Sequence, residues 1–216
     1  MKMILPASWL LLFCRVLIAQ PIAPPDGGHK YRFGVVFGLS QPIVTNGFNI
    51  ELNYYTDKLV FAYSHGFNLH FRNALVTGEA KQQHLAFRIS HSLGFGVGYR
   101  ITPSLNIRIE PKMHLWNVYY DDGNFTQQAR ITSYATYTLG LGTYYRWMPF
   151  QNRESFSRGL TVMPSFRYWP NVFTTLKNNE FSYQNRITNK PAVHQANNIG
   201  LNNSPFFANV SVGYTF

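Results

Sequence analysis

Residues 84–101 alternate in character with little interruption. The odd positions Leu85, Phe87, Ile89, His91, Leu93, Phe95, Val97, Tyr99 and Ile101 are all apolar or aromatic except His91. The even positions His84, Ala86, Arg88, Ser90, Ser92, Gly94, Gly96, Gly98 and Arg100 include no large apolar side chain. A period of two over about 18 residues predicts one β-strand with a single apolar face. Strands of soluble sheets run to about five or six residues, so this one favours a tall barrel over a sandwich. The same period recurs over 31–39, 48–55, 59–71, 105–110, 136–147, 159–169 and 206–216. Eight strands are expected, and no segment shows a helical period of useful length. Pro164, in the seventh, costs a ladder donor or marks a bulge.

The links between strands sort by length. Those on one side are 56–58, 102–104 and 148–158; those on the other are 41–47, 73–83, 121–128 and 171–203. Short turns on one side and longer loops on the other is the up-and-down pattern of bacterial barrels. Loop 41–47 is short for its side and 148–158 long for its own. The last loop, of about 33 residues and rich in asparagine, has the length of a functional or a disordered segment. Centring the 73–83 loop on Gly78 pairs Phe71 with Leu85, Leu69 with Phe87, Phe67 with Ile89 and His65 with His91. Both faces then match in character, and a slip of one residue would mix them.

Composition explains which face points where. Only 13% of residues are charged while 17% are aromatic, yet mean hydropathy is −0.17. Disorder needs high charge and few aromatics, and a helical membrane protein needs apolar runs of about 20 residues; neither is found. One strand face is bulky Phe, Tyr and Leu, and the other is Gly, Ser, Thr, Asn and Arg. An eight-stranded interior is narrow and filled by its own side chains. The small-plus-charged set fits inside and the bulky set fits outside in lipid, where closure satisfies every backbone group. The expected fold is therefore all-β, an eight-stranded antiparallel up-and-down transmembrane β-barrel. Aromatics cluster near the strand ends as girdles require: Tyr31, Tyr54, Tyr99, Tyr145, Trp147 and Phe216 at one end, Trp116, Tyr119, Tyr134, Tyr168 and Trp169 at the other, where Trp116, Tyr134 and Trp169 have inward parity and make that girdle less clean.

Formal net charge is +10, from 19 basic and 9 acidic residues. The basic residues are scattered singly between apolar ones, with no basic run and no nucleic-acid motif, so no nucleic-acid partner is expected. Residues 1–19 read as an export signal, with Lys2 before a short apolar core from Ile4 to Phe13. Arg15 and a large Leu17 depart from the usual pattern; cleavage is expected after Ala19. Removing Lys2 and Arg15 with the signal would leave +8. Cys14 is the only cysteine, so the mature chain would have no disulfide, thiolate or cysteine metal site. Residues 20–29 then form a short periplasmic segment and 30–216 the barrel.

The closing segment ANVSVGYTF resembles the C-terminal signature of outer-membrane β-barrel proteins, an amphipathic last strand with a terminal aromatic. In pattern the mature chain resembles the small barrels of the OmpA, OmpX and OmpW kind. The resemblance implies that Tyr214 and Phe216 form an assembly signal read by the barrel-assembly machinery. It also implies the outer membrane of a Gram-negative-type bacterium, with outer-membrane lipids and lipopolysaccharide as neighbours. It says little of activity, because such barrels include scaffolds, adhesins, transport accessories and lipid-modifying enzymes.

The candidate chemistry is sparse. By parity Glu51 and Glu110 share the lumen with Arg72, Arg88, Arg100, Arg108, Lys112, Arg130 and Arg146, and buried charges must pair or be solvated. The expected reading is a salt-bridged plug; a narrow anion-attracting passage is the alternative. His65 and His91 form an outward polar pair, and two histidines without a carboxylate are a poor metal set. Outer-membrane lipid A deacylases are similar in size and fold and use His and Ser. Here His91 and Ser92 are adjacent on a strand and so point to opposite faces. No metal, cofactor or catalytic residue is expected. The expected function is a non-enzymatic scaffold displaying external loops, chiefly 171–203, toward an external ligand the sequence does not name. A passage for small or hydrophobic solutes and a lipid A-modifying enzyme are the alternatives.

Overall fold

A computed structural model describes residues 32–72, 75–121 and 125–216. The expected signal, the periplasmic segment and Tyr31 lie outside the described residues. The chain forms β1 (Phe33–Gly38), β2 (Phe48–Tyr55), β3 (Leu59–Phe71), β4 (Leu85–Arg100), β5 (Leu105–Tyr120), β6 (Thr132–Tyr145) and β7 (Leu160–Tyr168). It continues with β8 (Asn171–Thr174), β9 (Glu180–Gln184), β10 (Pro191–Gln195) and β11 (Phe206–Thr215). Hydrogen bonding runs β5-β4-β3-β2-β1-β11-β7-β6, and a β5–β6 ladder closes the ring. All pairs are antiparallel, and β8 prolongs the line of β7 along β6, so the wall has eight staves. This is the closed up-and-down barrel that the alternation predicts.

Two single-turn helices interrupt the loops, α1 (Ser40–Val44) and α2 (Gly78–Gln82). Both are too short for a helical period to show in sequence. Pro164 makes no bulge against β11, where it pairs Val210 in regular register. It is skipped on the β6 side: that ladder stops at Tyr144↔Ser165 and resumes in one bridge, Trp147↔Val162. A proline has no N–H to give there.

Every stave presents exposed apolar side chains outward: Phe37, Leu52, Phe61, Phe95, Ile109, Leu141, Phe166 and Val210, one from each of the eight in turn. Phe95 is 67% exposed and Ile109 57%. A band of this kind around a whole barrel has no place in water and is the lipid-facing belt of a membrane barrel.

The upper end of β3 and β4 departs from the expected faces. Asn68 takes a left-handed φ of 57°. Opposite it Ser90 also drops out of the ladder, and the β4–β5 register shifts between Ile89 and His91. Each strand gains one residue at the same level, so both switch faces together. Below that level Phe67 and Phe95 point out; above it Leu69, Phe71, Leu85, Phe87 and Ile89 are buried inside. Pairing is also two residues from the expected register, with Phe71 facing Phe87 and His65 facing Leu93. The connection is not a hairpin centred on Gly78 but contains α2. A two-residue shift conserves the faces, which is why sequence character alone did not separate the two registers.

Asn68 Oδ1 also accepts from His70 Nε2 at 3.0 Å. Asn68→Val, a β-branched residue at positive φ, is expected to lower stability by about 1–2 kcal/mol in urea unfolding from lipid vesicles. Asn68→Gly should lose less than half as much, and equal losses would count against backbone strain as the cause.

Candidate functional site

The lumen is filled by one connected set of side chains. Glu51 lies between two guanidinium groups: Arg108 Nη1 donates to Oε1 at 2.7 Å and Arg167 Nη2 to Oε2 at 3.4 Å. Arg108 Nε donates to Asn106 Oδ1 at 2.6 Å. The Tyr144 ring has Arg108 at 3.8 Å and Arg167 at 4.7 Å from its centroid, and its hydroxyl donates to Glu110 Oε1 at 2.6 Å. Trp169 Nε1 donates to Glu110 Oε2 at 3.1 Å. Lys112 Nζ lies 4.1 Å over the Trp169 ring and donates to Ser64 Oγ at 2.7 Å. Glu51, Arg108, Glu110, Tyr144 and Arg167 are each no more than 2% exposed. The set spans the barrel interior at mid-height.

Small residues make room for it. A β-carbon at Gly98 would strike Arg108, at Gly94 the Lys112 stem, and at Gly140 the Trp169 indole. The glycine-and-serine face therefore records where long side chains from neighbouring strands cross the interior.

The structure divides the expected lumen set into three groups. Glu51, Arg108, Glu110 and Lys112 are in the network. Arg100 and Arg146 are at the inner rim, donating to the Pro103 carbonyl at 3.0 Å and 3.2 Å, and Arg146 covers Tyr55. Arg72, Arg88 and Arg130 are not in the lumen. The face switch puts Arg88 on the outer wall beside Asn117, Arg130 reaches Asn117 from its loop, and Arg72 is exposed past the end of β3. Sequence reasoning left out Arg167, Tyr144 and Trp169. Arg167 was legible, because Thr161, Ser165 and Arg167 share one parity on β7 and all are buried.

His65 Nε2 and His91 Nδ1 are 3.2 Å apart on the outward face. They meet diagonally, each paired in the ladder with another residue, Leu93 and Phe67. Tyr63 OH is 3.5 Å from His65 Nδ1. Ser92 points inward and bonds to His114 Nδ1 at 2.8 Å, and His114 Nε2 contacts Thr138 Oγ1 at 3.2 Å. His114 has no exposed surface. Its second nitrogen meets a hydroxyl rather than a carboxylate, so the pair lacks both the orienting acid and the access that a serine nucleophile needs. Tyr214 and Phe216, expected from the resemblance to form an assembly signal, sit at the seam between β1 and β11. Tyr214 stacks on Phe156 with ring centroids 5.1 Å apart, and Phe216 exchanges backbone hydrogen bonds with Arg32 and Phe33 at 2.9 Å and 2.7 Å.

Above the network the interior turns apolar. Leu69, Phe71, Leu85, Phe87, Ile89, Trp116, Val118 and Tyr134 from the wall pack with Val76, Ala80, Phe181, Tyr183 and Ile199 from the loops. Segment 171–203 is therefore a built cap. The β9–β10 hairpin lies over α2, where Tyr183 OH donates to Glu79 Oε1 at 2.8 Å and Arg186 N to Gln83 Oε1 at 2.8 Å. Burial and the adjacent carboxylate push the Tyr183 phenol up to about 12, so it remains a donor throughout physiological pH. A cleft beside Trp116 and His194 encloses about 40 Å³, room for a few waters.

A closed eight-stranded antiparallel barrel with an apolar outer belt is the fold of a small transmembrane β-barrel of the outer-membrane type. No family model and no curated protein matches the chain. Among solved structures it is similar to the crystal structure of Ail, the attachment invasion locus protein of Yersinia pestis. That likeness has 11% identity and a TM-score of 0.38, covering 85% of this chain and 95% of that one. The fold stands on the strand pairing of the chain itself.

Proposed function

We propose that the protein is a non-enzymatic scaffold in the outer membrane that holds its cap, chiefly segment 171–203, at the cell surface for interaction with other surfaces. The observation that carries this is the division of the interior. Charged and aromatic side chains occupy the axis at mid-height, and the upper half serves as the core of the cap. A barrel built to conduct would leave its axis open, whereas this one spends its axis on holding loops.

The exposed tip of the β9–β10 hairpin, Arg186 to Lys190, is where a partner would meet the chain. Ile187 there is 69% exposed. The expected result in planar bilayers is no stable single-channel step; a reproducible one would reject the plug. Cells displaying the wild-type chain, and cells in which 186–190 is replaced by a Gly-Ser linker, would be compared for adhesion to immobilised extracellular-matrix proteins and for self-aggregation. Loss of either with retained heat-modifiable gel mobility supports the scaffold reading. Equal behaviour in both assays counts against it.

A further inference from the structure

The residues that the face switch removes from the lumen come out together on the wall. His70 on β3, Arg88 on β4 and Asn117 on β5 are consecutive ladder partners across three strands. They lie just above the row Phe67, His91 and Leu115, where the apolar belt ends on those strands. Arg130 Nη1 donates to Asn117 Oδ1 at 3.1 Å. Arg72 lies two residues beyond His70, exposed just past the end of β3. Phe125 packs edge-on against His70 and Tyr119, with centroids 5.2 Å and 5.0 Å away, which sets its ring against the patch.

Arg88 and Arg130 thus meet at Asn117 at the upper edge of the belt, and Arg72 ends β3 at the same rim. Among the described residues no carboxylate lies within 4.0 Å of Arg72, Arg88 or Arg130. Arg88 Nε is shielded from solvent and has no hydrogen-bond partner among the described residues. A shielded guanidinium donor with no acceptor leaves a hydrogen bond unmade. An anion with several oxygens fits the forked donors of arginine. Immediately below, Phe67, Leu93, Phe95, Met113 and Leu115 form the lipid-facing surface along which an acyl chain would run.

We infer that Arg72, Arg88 and Arg130, with His70 and Asn117, bind the phosphorylated headgroup of an outer-leaflet lipid on the outside of β3–β5. A headgroup at this level meets the guanidinium groups while its chains stay on the belt, and a free phosphate gains only the first. The inference rests on the barrel being embedded in a membrane, and heat-modifiable mobility tests that separately.

The experiment uses the folded full chain in zwitterionic micelles, titrated with diphosphoryl lipid A, with its dephosphorylated form and with inorganic pyrophosphate, read by intrinsic fluorescence. Diphosphoryl lipid A is expected to bind at least tenfold more tightly than the other two. Each cation near a membrane surface is worth roughly a fivefold change in affinity. Arg88→Gln should therefore lose about fivefold, and Arg72→Gln with Arg88→Gln and Arg130→Gln about a hundredfold. Lys58→Gln, at the opposite rim, should change nothing. Unchanged affinity in the heat-modifiable triple variant overturns the site, and so does equal binding of pyrophosphate. If the triple variant does not fold, Arg130→Gln, at a residue outside the strands that gives one hydrogen bond to the wall at Asn117, decides in the same way.

Discussion

Glu51→Gln is expected to destabilise the barrel by about 3–5 kcal/mol, the range for breaking a buried ion pair from one side. The carboxylate is the acceptor for both Arg108 and Arg167, and neither guanidinium has exposed surface through which to recover water. A neutral amide leaves two adjacent buried cations with no anion between them. The measurement is a urea titration of the chain folded into lipid vesicles, followed by gel mobility and tryptophan fluorescence. Glu51→Leu combined with Arg108→Leu should recover part of the loss, since it removes one of the two stranded cations. A single-variant loss below about 1 kcal/mol would mean that the interior is wet enough to solvate both arginines.

Gly140→Val is expected to cost about 3 kcal/mol by overpacking. A β-carbon at 140 would occupy the space of the Trp169 indole. That ring cannot turn aside cheaply. It donates to Glu110 at 3.1 Å, carries Lys112 on its face, and stacks on Phe207 at 5.7 Å and 14°. Displacing it breaks the joint between the charged plug and the apolar cap. The variant should show red-shifted tryptophan emission and small conductance steps in planar bilayers where the wild type shows none. Wild-type emission and no steps would place the closure of the lumen elsewhere.

Period-two alternation made the barrel legible, because a strand between lipid and a packed interior has two solvents and its sequence must declare both. Glu51, Arg108, Glu110 and Lys112 could be placed from parity alone for the same reason. Arg88 could not. Asn68 and Ser90 each add one residue without breaking the run of apolar side chains, so the pattern continues past them while its meaning inverts. Leu85 and Phe87 look like wall in sequence and are cap core in space. The His65–His91 contact was visible although the register behind it was two residues off, since a histidine ring reaches a diagonal neighbour. The cap was illegible for a different cause. Its strands are five residues long and its core is completed by side chains that belong to the barrel.

That shared core sets an order of events. Phe181, Tyr183 and Ile199 have nothing to pack against until Phe71, Phe87 and Trp116 are held in a finished ring. The long segment therefore condenses after the wall has formed, onto a surface that exists only once β3, β4 and β5 are paired. Cut away and produced alone, it would have half a core and no reason to fold.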